Sequence, residues 1–473
     1  MGKKDFDAIV VGSGPNGLSA AIALQQKGLS VLLLEGKSTI GGGLRSAELT
    51  LPGFIHDICS AIHPLAAASP FFRTLPLHAH GLEFIQPPVA AAHPFDDGSA
   101  ALLTRSIHAT ATALGTDKGK YTRLMKALVD NFPSLINDIL APLHLPENIL
   151  GYTRFGLKAL WPASVLAKCF STQQAKGLWA GMAAHSMLSL NKLTTSAIAL
   201  VLMAAGNVYG WPVPKGGSQQ IANALTSYFR SIGGKIETSF YVKSLQQLPS
   251  STTILFDVTP RQLLQIAGHT FSSTYQRQLE RYRYGMGVFK VDWALAEPVP
   301  FMANSCLSAG TVHIGGTLQE IALSEQQTWH GKHPEKPFVL LAQQSIVDKS
   351  RAPEGKHTLW GYCHVPAHST RNMIDVVEKQ IERFAPGFRE RILARHTMNT
   401  TQMEEYNPNY VGGDINGGIL DLSQLFTRPA LRWSPYRTST KGLYICSSST
   451  PPGGGVHGMC GYHAAQRVLK DLF

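Results

Sequence analysis

Gly12, Gly14 and Gly17 stand in the spacing Gly-x-Gly-x-x-Gly, and an acid, Glu35, follows 23 residues after the first of them. Each residue type has a part in holding a dinucleotide. A glycine at 12 permits a tight turn, one at 14 lets the backbone approach a pyrophosphate with no Cβ in the way, and one at 17 lets a helix pack closely on a strand. Ser13, Pro15 and Asn16 complete the turn and open a helix. The N-terminus of that helix offers free N–H groups and the positive end of its dipole to phosphate. Glu35, with Gly36 behind it, is placed to accept hydrogen bonds from a ribose diol.

A second glycine-rich turn, Gly41-Gly42-Gly43-Leu44-Arg45, comes directly after the ribose acid. An NAD site has no need of it. In a flavoprotein it lets the backbone pass close to the pyrophosphate and the flavin end, so the expected cofactor is FAD. Arg45 reads either as a phosphate partner or as an ordinary surface arginine. A third cluster, Gly453 to Gly458, enters the last helix. There Gly455, Val456 and His457 are placed to offer backbone N–H groups to the flavin N1 and C2 carbonyl, where negative charge gathers on reduction. Side chains able to handle a proton are His63, His313, Asp414 and His457, and the sequence singles out none of them. The stretch Gly412 to Gly418 reads either as a loop that approaches a ligand or as a plain mobile loop.

Positioning these groups takes a β-α-β unit: a strand over Phe6 to Val11, a helix over Leu18 to Lys27 ended by Gly28, and a strand over Leu29 to Leu34. Lys118 to Leu140 and Gln173 to Ala205 have helical apolar spacing and form a helical insertion that helps to wall a substrate chamber. Gln219 to Ile232 is a helix, Lys235 to Val242 and Thr253 to Val258 are strands, and Gly287 to Trp293 and Phe338 to Gln343 alternate like an antiparallel sheet. Met459 to Leu472 is the terminal helix. The expected fold class is α/β, an interrupted Rossmann-type FAD-binding domain with a mixed α+β substrate domain. The FAD-binding domain takes residues 1–105, 213–285 and 406–473; the substrate domain takes 106–212 as its helical part and 286–405 as its antiparallel sheet. No second strand–Gly-x-Gly-x-x-Gly–helix unit occurs, so no second dinucleotide domain is expected.

The 473 residues are too many for one core, and 44% are hydrophobic against 15% charged, a globular composition. The net charge of +11 is compatible with an anionic membrane surface and equally with a solvated basic surface; no dense Lys/Arg run suggests a nucleic-acid groove. None of the six cysteines forms a Cys-x-x-Cys pair, so no metal site or dithiol chemistry is expected. Met1 to Asp7 has no apolar region of signal-peptide type, and Phe6 stands where a myristoylation signal on Gly2 wants Ser or Thr. No apolar run reaches the length of a membrane span. The expectation is a soluble or peripheral protein of the cytoplasm or an organelle matrix.

Leu51 to Pro64, Gly310 to Gly316, Gly412 to Gly418 and Pro451 to Tyr462, taken with the N-terminal glycines, resemble the phytoene-dehydrogenase-related proteins of the phytoene desaturase and flavin amine oxidase superfamily. The resemblance spans nearly the whole chain. It implies FAD between the two domains, Val242 meeting the adenine through its backbone, Val456 and His457 meeting the flavin ring, and Asp57 near the isoalloxazine. Cys59 replaces the glycine of the relatives' Asp-x-Gly turn, and Gly43 stands where many relatives carry an arginine. No Cys-x-x-x-x-Cys pair is present, so disulphide reduction is not expected. The implied activity is hydride transfer from a hydrophobic isoprenoid or lipid-like substrate to FAD, forming a double bond, with reoxidation by oxygen or a quinone. The alternatives are an FAD-dependent amine oxidase, or a flavin-retaining binding or assembly protein.

Overall fold

Strand β1 (Phe6–Val11) runs into the glycine turn, and helix α1 (Pro15–Gln25) begins with proline at its first position, where the missing N–H costs nothing. The computed structural model describes residues 4–473; Gly2, considered above as a lipidation site, lies outside them. Nearly every residue of α1 is buried, because it is covered on more than one side rather than along a single stripe. Strand β2 (Val31–Leu34) then lies parallel to β1.

Strands β3 (Val89–Pro94) and β4 (Ala100–Leu103) pair with the second sheet although they fall within 1–105. The crossover to the substrate domain therefore comes before Val89, not at residue 105. Helices α2 (Lys118–Ile139), α3 (Ile149–Ala159), α4 (Gln173–Ala184) and α5 (Thr195–Val208) form the insertion. The helix expected over Gln173 to Ala205 is broken between α4 and α5, where Met187 and Thr194 take φ of 52° and 75°. Helix α6 (Gln219–Ser231), strand β5 (Lys235–Glu237) and strand β6 (Ser251–Phe256) return to the first sheet. The second sheet is completed by β7 (Gly287–Leu295), β8 (Ala309–Ile314), β9 (Val339–Ala342), β10 (His357–Val365) and β11 (Ile392–Met398). Strand β12 (Leu443–Ile445) and helix α7 (Met459–Leu472) close the first.

The first sheet has the order β12-β6-β1-β2-β5 and is parallel throughout. Its strands come from three separate parts of the chain, which makes it an interrupted Rossmann-type layer. The second has the order β11-β7-β10-β9-β8-β3-β4 and is antiparallel except where β3 meets β8. Helix α7 lies against α1 at very short range: a Cβ on Gly461 would overlap the carbonyl of Asn16. One face of the second sheet is sealed by Trp293, Phe384 and Phe388, with the Trp293 Nε1–H donating to Glu378 Oε1 at 3.0 Å. Toward its other face stand Gly177 and Gly181 of α4, where a Cβ would strike the rings of His93 and His313. Among the described residues no helix is long and apolar enough to cross a membrane.

Candidate flavin and substrate site

A cavity of about 540 Å³ runs from the C-terminal ends of the parallel strands into the space between the sheets. Parallel α/β sheets place ligands at this edge. Of the expected cofactor contacts, Gly12, Ser13, Gly14, Pro15, Asn16, Glu35, Gly36, Gly42, Gly43, Arg45, Val242, Gly455 and Val456 border it. Gly17, Gly41, Leu44 and His457 do not. Gly17 packs on the Gly12 carbonyl, Gly41 faces Ala222, Leu44 is in the core, and His457 is buried.

At one end, the carboxylate of Glu35 accepts the Ser13 N–H at 3.1 Å and the Lys37 N–H at 2.9 Å, and it pairs with Arg45 Nη2 at 3.0 Å. Arg45 also donates from Nε to the Thr39 carbonyl at 2.9 Å. It is buried, so the surface reading does not describe it; it borders the cavity with its charge paired to Glu35. Asp257, just beyond β6, accepts the Gly17 N–H on Oδ2 at 2.9 Å and borders the cavity. Burial, reinforced by the charge of Glu35, pushes its pKa up to about 7 against the N–H bonds it accepts.

Midway, Gly455 takes a φ of 117°, and a Cβ there would sit 2.9 Å from Leu65 Cδ1. Only glycine fits both demands. The N–H groups of Gly455 and Val456 find no backbone or side-chain acceptor among the described residues, and both residues face the cavity. The Gly412 to Gly418 stretch is mostly buried, pinned by Asp414, which accepts N–H bonds from Gly285 at 2.7 Å, Asn416 at 2.7 Å and Gly418 at 3.0 Å. Ile415, Asn416 and Gly417 of this loop reach the cavity.

The candidate proton-handling groups stand off the cavity. His63 is bonded through Nε2 to Ser218 Oγ at 2.8 Å, and burial lowers its pKa to about 4. The His457 Nδ1 accepts the Met459 N–H at 3.0 Å, and burial lowers its pKa to about 4. Asp414 is spent on its turn. Asp57 is likewise sealed away, joined to Arg351 at 2.8 Å. His313 is buried behind His185, with their Nε2 atoms 3.0 Å apart. His185 itself borders the chamber, beside Met187, Ile198, Val201 and Leu202 from the insertion and Leu340, Trp360 and Tyr362 from the sheet. The sequence reading passed over His185 and Asp257. The only signal of His185 is a polar residue at the end of an apolar helix; Asp257 belongs to no spaced motif.

Residues 10–75 match the family described as an NAD(P)-binding Rossmann-like domain. Pyridine nucleotide-disulfide oxidoreductase domain-containing protein 2 of Mus musculus is 25% identical, over 99% of this chain and 94% of its own length. A lycopene-forming phytoene desaturase of a Paracoccus species is 22% identical, over 98% of this chain and 97% of its own. In fold, an oxidoreductase from Methanosarcina mazei matches 98% of this chain with its full length, at a TM-score of 0.67 and 14% identity. Putrescine oxidase bound to putrescine matches at 0.61 and 16% identity, over 98% of this chain and 99% of its own. The chain has the fold of FAD-type oxidoreductases and resembles them along nearly its whole length.

The residues fit FAD. The cavity wall is side-chain-free at Gly14, Gly42, Gly43 and Gly455, and uncommitted N–H groups stand at Gly455 and Val456. Glu35 can take the ribose, and the segment Phe240 to Lys243 lines the far end around Val242. A diphosphate held at the start of α1 would lie beside Asp257. Its folded pKa lies above the ordinary 3.8, so its contribution to the stability of the flavin-free protein is full below that value and is lost as the pH rises toward 7. An ionised Asp257 also repels the diphosphate. FAD retention is expected to weaken by up to about tenfold per pH unit above pH 7, and Asp257→Asn to flatten that dependence. Equilibrium dialysis against FAD across that range measures it; equal slopes for native and variant protein would remove the coupling.

Proposed function

We propose that the chain oxidises a hydrophobic, isoprenoid or lipid-like molecule to leave a new double bond, oxygen or a quinone taking the electrons onward. The observation that carries this reading is the chamber wall. Ile198, Val201, Leu202, Met187, Leu340 and Leu420 make it apolar, while the two carboxylates that border the cavity, Glu35 and Asp257, lie at its nucleotide end. Bound FAD supplies a two-electron oxidant able to accept a hydride. The protein supplies the rest: an apolar enclosure that excludes water and holds the substrate by its shape.

His185 is the titratable group best placed to meet substrate there. Burial lowers its pKa to about 3, so it is neutral at physiological pH. His313 Nδ1 is buried without a partner. A bare acceptor there costs less than an N–H with nowhere to donate, which puts the His313 proton on Nε2, donating to His185 Nε2. His185 is then left with Nδ1–H as one donor in an apolar wall.

The fold likeness to putrescine oxidase and the ring side chains of Trp360, Tyr362 and Tyr410 at the chamber support amine oxidation as a second reading. An anaerobic titration of the FAD-loaded protein with isoprenoid and lipid fractions, then with amines, separates the two. Bleaching of the flavin band by the apolar fractions is the expected result. Bleaching by amines alone would transfer the proposal to amine oxidation, and retained flavin that nothing bleaches would favour a binding role.

A further inference from the structure

Between Asp138 and Trp211 the helical insertion carries one acidic residue, Glu147, against five Lys or Arg. Within this stretch, the loop before α3, the outer face of α3 and the turn after it expose Leu143, Leu145, Ile149, Leu150, Leu157 and Trp161. Leu145 is 82% and Trp161 53% accessible. Helix α3 turns Tyr152, Phe155 and Ala159 toward the body of the protein, while Leu150, Arg154 and Leu157 face out. A surface helix ordinarily keeps its polar residues outside; apolar groups on the solvent side as well mark a face that meets another apolar phase.

This patch is continuous with the chamber wall. The Thr194 N–H donates to the Leu160 carbonyl at 3.1 Å and the Ser196 N–H to the Trp161 carbonyl at 3.3 Å. Thr194 Oγ1 donates to the Leu420 carbonyl at 3.2 Å. Ile198, one turn along α5, and Leu420 both border the cavity. Arg154, Lys168 and Lys192 are exposed in the same stretch.

We infer that this face docks on an anionic phospholipid bilayer. Leu143 to Leu150 and the outer side of α3 enter the headgroup boundary, and Arg154 and Lys168 meet lipid phosphates. Charge selects the occupant: a stretch with one acid and five bases complements an anionic surface, and the exposed leucines supply the burial that holds it there. The protein lies on the membrane, since none of its described helices can span one. An apolar molecule then passes from lipid toward Ile198 and Leu420 with little exposure to water.

The test is co-sedimentation of the FAD-loaded full chain with phosphatidylcholine vesicles and with vesicles containing phosphatidylglycerol. Binding to the second kind, weakened by salt and accompanied by a blue shift of tryptophan emission, is expected. A Leu145→Gln, Leu150→Gln, Leu157→Gln variant that keeps its flavin spectrum and circular dichroism should lose at least about tenfold in binding, because the apolar area that enters the headgroup boundary is removed. Native protein left in the supernatant with both vesicles overturns the inference, as does a triple variant that sediments like the native protein. So does a native dimer, seen by light scattering, that the triple variant abolishes while vesicle binding is absent: the face would then meet a second copy. None of these readouts depends on turnover, so the inference stands or falls separately from the proposed reaction.

Discussion

Gly14→Val is expected to purify as a folded protein without flavin. Gly14 caps α1 with φ −65° and ψ 174°, angles any residue adopts, so the substitution does not strain the backbone. Its effect is one of space. A Cβ at this position sits 2.7 Å from Asp257 Oδ2, and Gly42 approaches so closely from the opposite turn that its own Cβ would stand 3.0 Å from Gly14 Cα. The valine methyls therefore occupy the gap that a diphosphate needs. Loss of even two charge-assisted hydrogen bonds, at about 1.5–3 kcal/mol each, weakens binding by two orders of magnitude or more. The ratio of visible to ultraviolet absorbance after FAD loading reads the outcome, with circular dichroism as the control for folding. A variant that keeps a full complement of flavin would show that the diphosphate lies elsewhere.

Asp57→Ala is expected to lower stability more than any surface substitution. Asp57 and Arg351 are both fully buried and 2.8 Å apart, one from the hairpin that follows the second glycine turn and the other from the segment between β9 and β10. The carboxylate also accepts the Ser218 N–H at 2.8 Å, the Ser46 hydroxyl at 2.7 Å and the Gln344 side-chain N–H at 3.1 Å. Removing it leaves the guanidinium buried without a counter-charge, which costs about 3–5 kcal/mol. Arg351→Met added to Asp57→Ala should restore part of that loss, because the stranded charge is gone. Burial alone would raise the Asp57 pKa, but the charge and hydrogen bond of Arg351, with the Ser218 N–H and the Ser46 hydroxyl, together outweigh it and hold the group below its ordinary 3.8. Its contribution is therefore present above that value and lost as the pH falls through the lower, folded one. Denaturant midpoints between neutral and acid pH measure both effects; equal midpoints for native and Asp57→Ala protein would show that the pair does not join the domains energetically.

The nucleotide end was legible because its chemistry is local. Strand, glycine turn, helix, second strand and acid follow one another within 35 residues, and the terminal helix lies over Met459 to Leu472 as its spacing indicates. What the sequence hid depends on distant partners. Arg45 is buried by its pairing with Glu35, and no spacing rule reveals whether an arginine ten residues from an acid will turn back to it. The break between α4 and α5 carries no glycine at its positive-φ positions, because tertiary packing rather than local preference holds Met187 and Thr194 there. The alanine-rich Val89 to Pro94 has weak strand preference and is made a strand by pairing with β8. His185 acquires its meaning only when the second sheet sets His313 behind it.

The contact between Gly461 and Asn16 has a consequence for biosynthesis. Strand β1 and α1 leave the ribosome early, but the helix that covers α1 and the N–H groups at Gly455 and Val456 lie more than 400 residues downstream. At roughly 5–20 residues per second, that is about 20–90 s of translation during which the apolar N-terminal helix lacks its cover. FAD can be captured fully only after that interval, so cofactor supply acts on a nearly finished polypeptide.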